Sequence, residues 1–182
     1  MEYIIPIGII IIILLFVIVT YNGLVQAKNK VKANWAQVDV QMKQRADLIP
    51  NLVETVKGYA KHESETMQAV IAARNAYLNA SVPKDMMQAS DEMTKALTKV
   101  FALSEDYPEL KSNTNFMSLQ NQLSDIEKKI AFARQFYNDS VYVYTNKLEM
   151  FPSRFIATMF GFKPYAYLEI DDKDKNVPHV KF

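Results

Sequence analysis

The stretch FMSLQNQLSDIEKKIAFARQFY, residues 116–137, decides the fold class. In it Phe116, Leu119, Leu123, Ile126, Ile130, Ala133 and Tyr137 follow one another at alternating steps of three and four. That spacing returns side chains to one face of an α-helix at every turn. The stripe is narrow, two positions in seven, which suits packing in a helical bundle or a coiled-coil-like pair. Asn113 or Thr114 can cap its start.

Working outward, Lys28 to Met150 contains one glycine, Gly58, and three prolines, Pro50, Pro83 and Pro108, which divide the chain. Val31, Trp35, Val38 and Met42 mark a first helix. Asp47 as an N-cap and Ile49 ahead of Pro50 predict a kink or turn at 47–50. A second helix is then expected to carry Leu52, Val53, Val56, Tyr59 and Ala60, then Met67, Val70, Ile71, Ala73 and Tyr77, up to about Ala80. After Ser81-Val82-Pro83, a third segment presents Met86, Met93, Leu97, Val100 and Phe101 and ends near Tyr107-Pro108. Beyond the fourth helix, Pro152 opens a short fifth one with Phe155, Ile156, Met159 and Phe160, and Gly161 ends it.

Between Tyr3 and Ala27 there is no charge, and fourteen of the residues from Ile4 to Val19 are Ile, Leu, Val or Phe. At about 0.3–0.6 kcal/mol each, they favour insertion into a bilayer by roughly 4–8 kcal/mol. A helix from Tyr3 to Val25 is on the order of 35 Å long, enough to cross the hydrocarbon layer. Val25-Gln26-Ala27 offers a cleavage site, but Glu2 in place of a basic n-region and the length of the apolar run favour a retained anchor. Lys28, Lys30 and Lys32 follow the span directly, so the expected topology is single-pass, N-terminus outside and helical domain cytoplasmic.

The expected architecture is therefore all-α: an N-terminal transmembrane helix, then an antiparallel up-and-down bundle of about four long helices plus a short C-terminal helix. Residues 1–27 are the anchor, 28–160 the bundle, and 161–182 an aromatic then charged tail.

Chemistry is sparse. Lacking cysteine, the chain has no thiol nucleophile, disulfide or cysteine zinc site. Its two histidines, His62 and His179, complete no zinc-protease motif: His62-Glu63-Ser64-Glu65-Thr66 has only the first half. Gly8, Gly23, Gly58 and Gly161 form no phosphate-cradling loop. Asp172, Asp174 and Asn176 resemble the start of a calcium loop, but Val177 occupies the turn-glycine position, so a solvated tail is expected. With 21 basic and 20 acidic residues there is no electrostatic footprint for nucleic acid. No catalytic residue, metal, cofactor or small-molecule partner is expected.

Two groups of residues stand out. Arg45, Asp47, Asn51, Glu54, Glu63, Arg74, Glu127, Arg134 and Asn138 lie beside the apolar stripes and form a candidate structural polar network setting helix register. Phe151, Phe155, Phe160, Phe162, Tyr165 and Tyr167 crowd near the C-terminus; they either cap the bundle or form an interaction surface for a partner or the bilayer.

Asn34-Trp35 through Asp39, the run RADLIPNLVETVKGYAKHE from Arg45 to Glu63, and Arg134, Tyr137-Asn138, Tyr144, Phe151-Pro152, Ala157 and Gly161-Phe162 together resemble the LemA family of bacterial proteins over essentially the whole chain. One departure is Tyr144-Thr145, where the family usually repeats Tyr-Asn. The resemblance implies an antiparallel helical bundle at the bacterial inner membrane, no established catalytic activity and, for some members, a part in organising internal membranes such as magnetosomes. The expected function is a non-enzymatic scaffold that binds itself or other membrane proteins. The alternative is a small-ligand sensor or enzyme using polar groups between helices; a concave pocket lined by several of the named charged residues would favour it.

Overall fold

The computed structural model describes residues 3–60 and 62–168, and among these it contains helices and no strand. The helices are α1 (Ile4–Lys57), α2 (Ser64–Asn79), α3 (Pro83–Leu103), a 3-10 turn (Ser104–Asp106), α4 (Pro108–Lys111), α5 (Thr114–Glu149) and α6 (Ser153–Met159). They belong to two compact units. One is Ala36–Arg134; the other joins the residues up to Trp35 with those from Gln135 onward.

Where a kink or turn is expected at 47–50, the chain makes no turn. α1 runs unbroken through Asp47 and Pro50 to Lys57, so Asp47 caps nothing and the expected second helix is two pieces. Proline lacks the N–H that would bond the carbonyl four residues back, which here belongs to Ala46. Arg74 Nε donates to that oxygen at 2.9 Å, so the lost helical bond is replaced from α2. The break falls instead after Lys57, at Gly58, a poor helix former. There the N–H groups of Tyr59 and Ala60 both converge on the Val56 carbonyl.

In the 36–134 unit, the three residues between α2 and α3 permit only an antiparallel pair, and Pro83 opens α3 at its first turn. Cross-helix bonds fix the other directions. Arg74 with Ala46 and Tyr77 with Asp39 run α2 against α1, while Asp91 with Arg134 and Thr94 with Glu127 run α3 against α5. Asn113 caps α5, its Oδ1 accepting from the Phe116 N–H at 3.0 Å. Along α5 all seven stripe residues, Phe116 to Tyr137, are buried, and the line continues through Val141 and Tyr144. Of the stripe expected on the second helix, Met67, Val70, Ala73 and Tyr77 are buried on α2, but Ile71 on α2 and Tyr59 in the turn after α1 are exposed.

In the other unit, α1 and α5 are antiparallel, held by Asn34 Nδ2 to the Phe136 carbonyl (2.8 Å) and Lys147 Nζ to the Gly23 carbonyl (3.1 Å). The apolar start of α1 is, among the described residues, the one segment long and apolar enough to cross a membrane. Ser153 Oγ donates to the Lys147 carbonyl at 2.7 Å, an acceptor left free where α5 ends, and lies 2.9 Å from the Met150 carbonyl, which also accepts from the Arg154 N–H. α6 then closes on Gly161 at φ +68°, with Phe162 N–H to the Ala157 carbonyl and Gly161 N–H to the Thr158 carbonyl, the left-handed C-terminal cap that glycine forms without strain.

Candidate functional site

The most concentrated polar arrangement surrounds Arg45, whose side chain is 1 % exposed. From α1 its guanidinium reaches Thr94 Oγ1 at 2.8 Å and the Ser90 carbonyl at 2.8 Å, and it also bonds Ser90 Oγ and the Glu127 carboxylate. Burial pushes the guanidinium below its ordinary range, and Glu127 works in the opposite direction by favouring the charge. Arg134, one helical face along α5, pairs with Asp91 at 2.5 Å. Alternating basic and acidic groups thus hold α1, α3 and α5 in one register. A guanidinium this buried needs its partners, because its desolvation is offset only by charge-assisted bonds.

Of the nine predicted polar residues, Arg45 and Glu127 are brought into contact, and Arg134 lies close enough to act on Arg45 electrostatically. Arg74 binds the Ala46 carbonyl, and Glu63 accepts from the Tyr107 hydroxyl at 3.4 Å. Asp47 and Asn51 are exposed, and Glu54 makes an exposed pair with Lys57 three residues on. Asn138 belongs to the other unit. Its Oδ1 accepts from the Leu168 N–H and its Nδ2 donates to the Leu168 carbonyl, both at 2.9 Å.

That pair of hydrogen bonds is part of a strap. Tyr144 donates to the Lys163 carbonyl and Tyr137 to the Ala166 carbonyl, each at 3.1 Å, so residues 163–168 are laid along α5 by hydroxyls seven positions apart. Burial raises the pKa of both tyrosines, with Tyr165 adding to the effect. At the departure from the family pattern, Thr145 Oγ1 is buried and has no hydrogen-bond partner among the described residues.

Sequence reasoning missed Ser90, Asp91 and Thr94, which line α3 beside its apolar stripe, and the bond of Tyr77 to Asp39 at 2.8 Å. The helical period places Tyr77 only on the apolar stripe. Its hydroxyl is held protonated well above the ordinary range, first by burial and then by the Asp39 carboxylate.

The aromatic cluster divides. Phe162 packs beside the buried cluster of Leu24, Ile156 and Ala157, and Tyr165 stacks obliquely on Tyr144. Phe151, Phe155, Phe160 and Tyr167 are exposed. The tail positions Asp172, Asp174, Asn176 and His179 lie outside the described residues. Among the described residues no three His, Asp or Glu side chains gather as a metal-holding group. A shallow groove of about 680 Å³ runs between α3 and α5, lined by Thr94, Thr98, Phe101, Asn121, Ser124 and Glu127 among others. Of the nine predicted polar residues only Glu127 lines it.

These features define an all-helical protein with an apolar N-terminal span, a charge-paired bundle and a strapped C-terminal segment. The LemA family model matches residues 34–182, and the chain belongs to the LemA family. It is similar to Magnetosome protein MamQ of Magnetospirillum gryphiswaldense, 23 % identical over 173 residues, covering 81 % of this chain and 64 % of that protein. Magnetosome proteins MamQ 2 and MamQ 1 of Paramagnetospirillum magneticum are each 22 % identical over 175 residues, covering 82 % of this chain and 64 % of each of them. The chain thus spans somewhat under two thirds of the length of these relatives. Family and apolar helix together mark a membrane-associated protein.

Proposed function

We propose that this protein is a non-enzymatic, membrane-anchored scaffold of the bacterial inner membrane, with its helical domain on the cytoplasmic side. It acts by gathering copies of itself or other membrane proteins. The observation that carries this reading is an exposed apolar line on α5 and just past its end: Phe136, Val143 and Met150, 61 %, 51 % and 63 % exposed, recur every seven residues, with Tyr142 beside them. Apolar side chains repeated at that interval on an outward helix face suit docking of another helix. The similarity to magnetosome proteins supports a part in membrane organisation. Lys28, Lys30 and Lys32 support the orientation.

A photo-crosslinking residue at Phe136 or Tyr142 of the intact chain in its native membrane tests the scaffold reading. Adducts to a second copy or to another membrane protein are expected. A chain that stays monomeric in mild detergent and in lipid discs, with no adduct at either position, sinks it. Protease added to cells with permeabilised outer layers is expected to leave the domain intact, and digestion there reverses the topology.

A second reading as a small-ligand sensor rests on the groove between α3 and α5, which only Glu127 of the named charged residues lines. A small molecule that raises the melting temperature of the intact chain, with the effect lost in Ser124→Trp, moves the conclusion to that reading.

A further inference from the structure

α6 is apolar on two opposite faces. Ile156 and Ala157 are buried against Leu24, with Val17 and Phe162 packed around them. On the outward side Phe155 and Met159, four apart, are 68 % and 66 % exposed, and Phe151, in the turn just before the helix, is 81 % exposed with its ring 5.8 Å from that of Phe155. Arg154 and Thr158 form a polar line along one flank. A soluble helix of this size turns one stripe inward and leaves the opposite face polar; apolar residues on both sides indicate a surrounding that is itself apolar.

The place of α6 along α1 identifies that surrounding. Its contacts fall on the last turns of the apolar run: Val17, Leu24, and Tyr21, whose ring lies 4.8 Å from Phe160 and 5.7 Å from Phe162. A span beginning at Ile4 uses about 20 residues to cross the hydrocarbon layer, so Val17 is still within it and Leu24 is at its edge. Tyr21 is placed where membrane proteins concentrate interfacial aromatics. One turn beyond Leu24, Lys28 sits with Nζ 5.6 Å from the Phe162 ring, and Lys30 and Lys32 follow. The exposed face of α6 is therefore continuous with the lipid-facing surface of the span and is bordered by cations suited to anionic headgroups.

The geometry points to α6 as an interfacial insertion element, with Phe151, Phe155 and Met159 seated in the outer acyl chains of the leaflet from which α1 emerges. The bilayer, not a protein partner, covers this face. α6 thereby gives the single-span anchor a second point of attachment, which sets the tilt and rotation of its own unit against the membrane. This inference rests on the reading of α1 as a membrane span.

The absence of cysteine allows single labels to be placed in the full chain. Spin labels at Phe155→Cys, Met159→Cys and Ile10→Cys, in vesicles of phosphatidylethanolamine and phosphatidylglycerol, report depth from relaxation by oxygen and by a water-soluble nickel chelate. The expected order of oxygen preference is Ile10 deepest, Phe155 and Met159 next, and an Arg154→Cys control most accessible to nickel. Labels at 155 and 159 open to nickel like the control overturn the proposal while leaving the anchor in place. Labels there shielded from both reagents, or broadened by a second label, assign the face to a protein partner or a second copy and overturn it equally. A nickel-accessible label at Ile10 overturns the anchor and this inference together.

Discussion

Arg74 Nε donates a 2.9 Å hydrogen bond to the carbonyl oxygen of Ala46, the acceptor that Pro50 leaves without its helical partner. This single contact explains how α1 tolerates an internal proline, and it ties α2 to α1 where the helix is weakest. Arg74→Leu is expected to destabilise the protein by about 1–3 kcal/mol, since a partly buried carbonyl loses a charged donor. Pro50→Ala restores an N–H for that carbonyl, so the same arginine substitution is expected to cost less in the Pro50→Ala background. Equal costs in both backgrounds, measured by chemical unfolding in detergent, disprove the coupling.

Arg45 and Glu127 are asymmetric: the cation is buried and its carboxylate partner is 44 % exposed. Glu127→Ala strands a buried charge and is expected to cost on the order of 3 kcal/mol, toward the low end for such pairs because solvent reaches the site. Arg45→Met removes the charge and is expected to cost less, since the surviving carboxylate can turn to water. The reverse ranking in unfolding experiments contradicts this assignment.

Tyr77 makes stability sensitive to alkali. Its folded pKa lies above the ordinary tyrosine value of about 10, through burial and then Asp39. Below pH 10 the hydroxyl is protonated in both states, so its stabilising contribution is complete. As pH rises further the unfolded chain ionises first and binds fewer protons than the folded one, so stability falls. Tyr77→Phe is expected to flatten this decline; Tyr137 and Tyr144, shifted in the same direction, leave a residual slope. A Tyr77→Phe profile that matches the parent above pH 10 removes Tyr77 from the account.

Leu123 and Ile130 are 2 % and 1 % exposed on the α5 seam. Truncating either to Ala is expected to cost about 2–5 kcal/mol. A loss below about 0.5 kcal/mol at both, the range of ordinary surface changes, means that the seam is not the spine of the bundle.

Asn138 holds both backbone groups of Leu168. Asn138→Ala is expected to release residues 163–168, seen as faster amide exchange at Leu168 and earlier proteolysis in that segment. Exchange at Leu168 unchanged from the parent refutes the strap.

The α-helical class, the α5 seam, the apolar span and the glycine that ends α6 were legible in the residues themselves, because each depends on neighbours within a turn or two. Periodicity of three and four is a local property, and so is the left-handed conformation that Gly161 adopts after α6. What happens at Pro50 is not local. A proline in isolation argues for a break, and the outcome depends on Arg74, 28 residues beyond the Ala46 carbonyl it reaches, whose approach requires α2 to be folded back along α1. The polar assignments divide in the same way. Charged residues beside apolar stripes could be marked as candidates, yet Arg45 finds its partners 45, 49 and 82 residues along the chain, on helices whose rotation only packing determines. Asp47 and Asn51 carried the same signature and face water. The C-terminal aromatics could be counted in the sequence but not sorted. Closure of α6 onto Leu24 decides which are covered, because a short helix can turn only one face toward its neighbour and leaves Phe151 and Phe155 to whatever lies outside it.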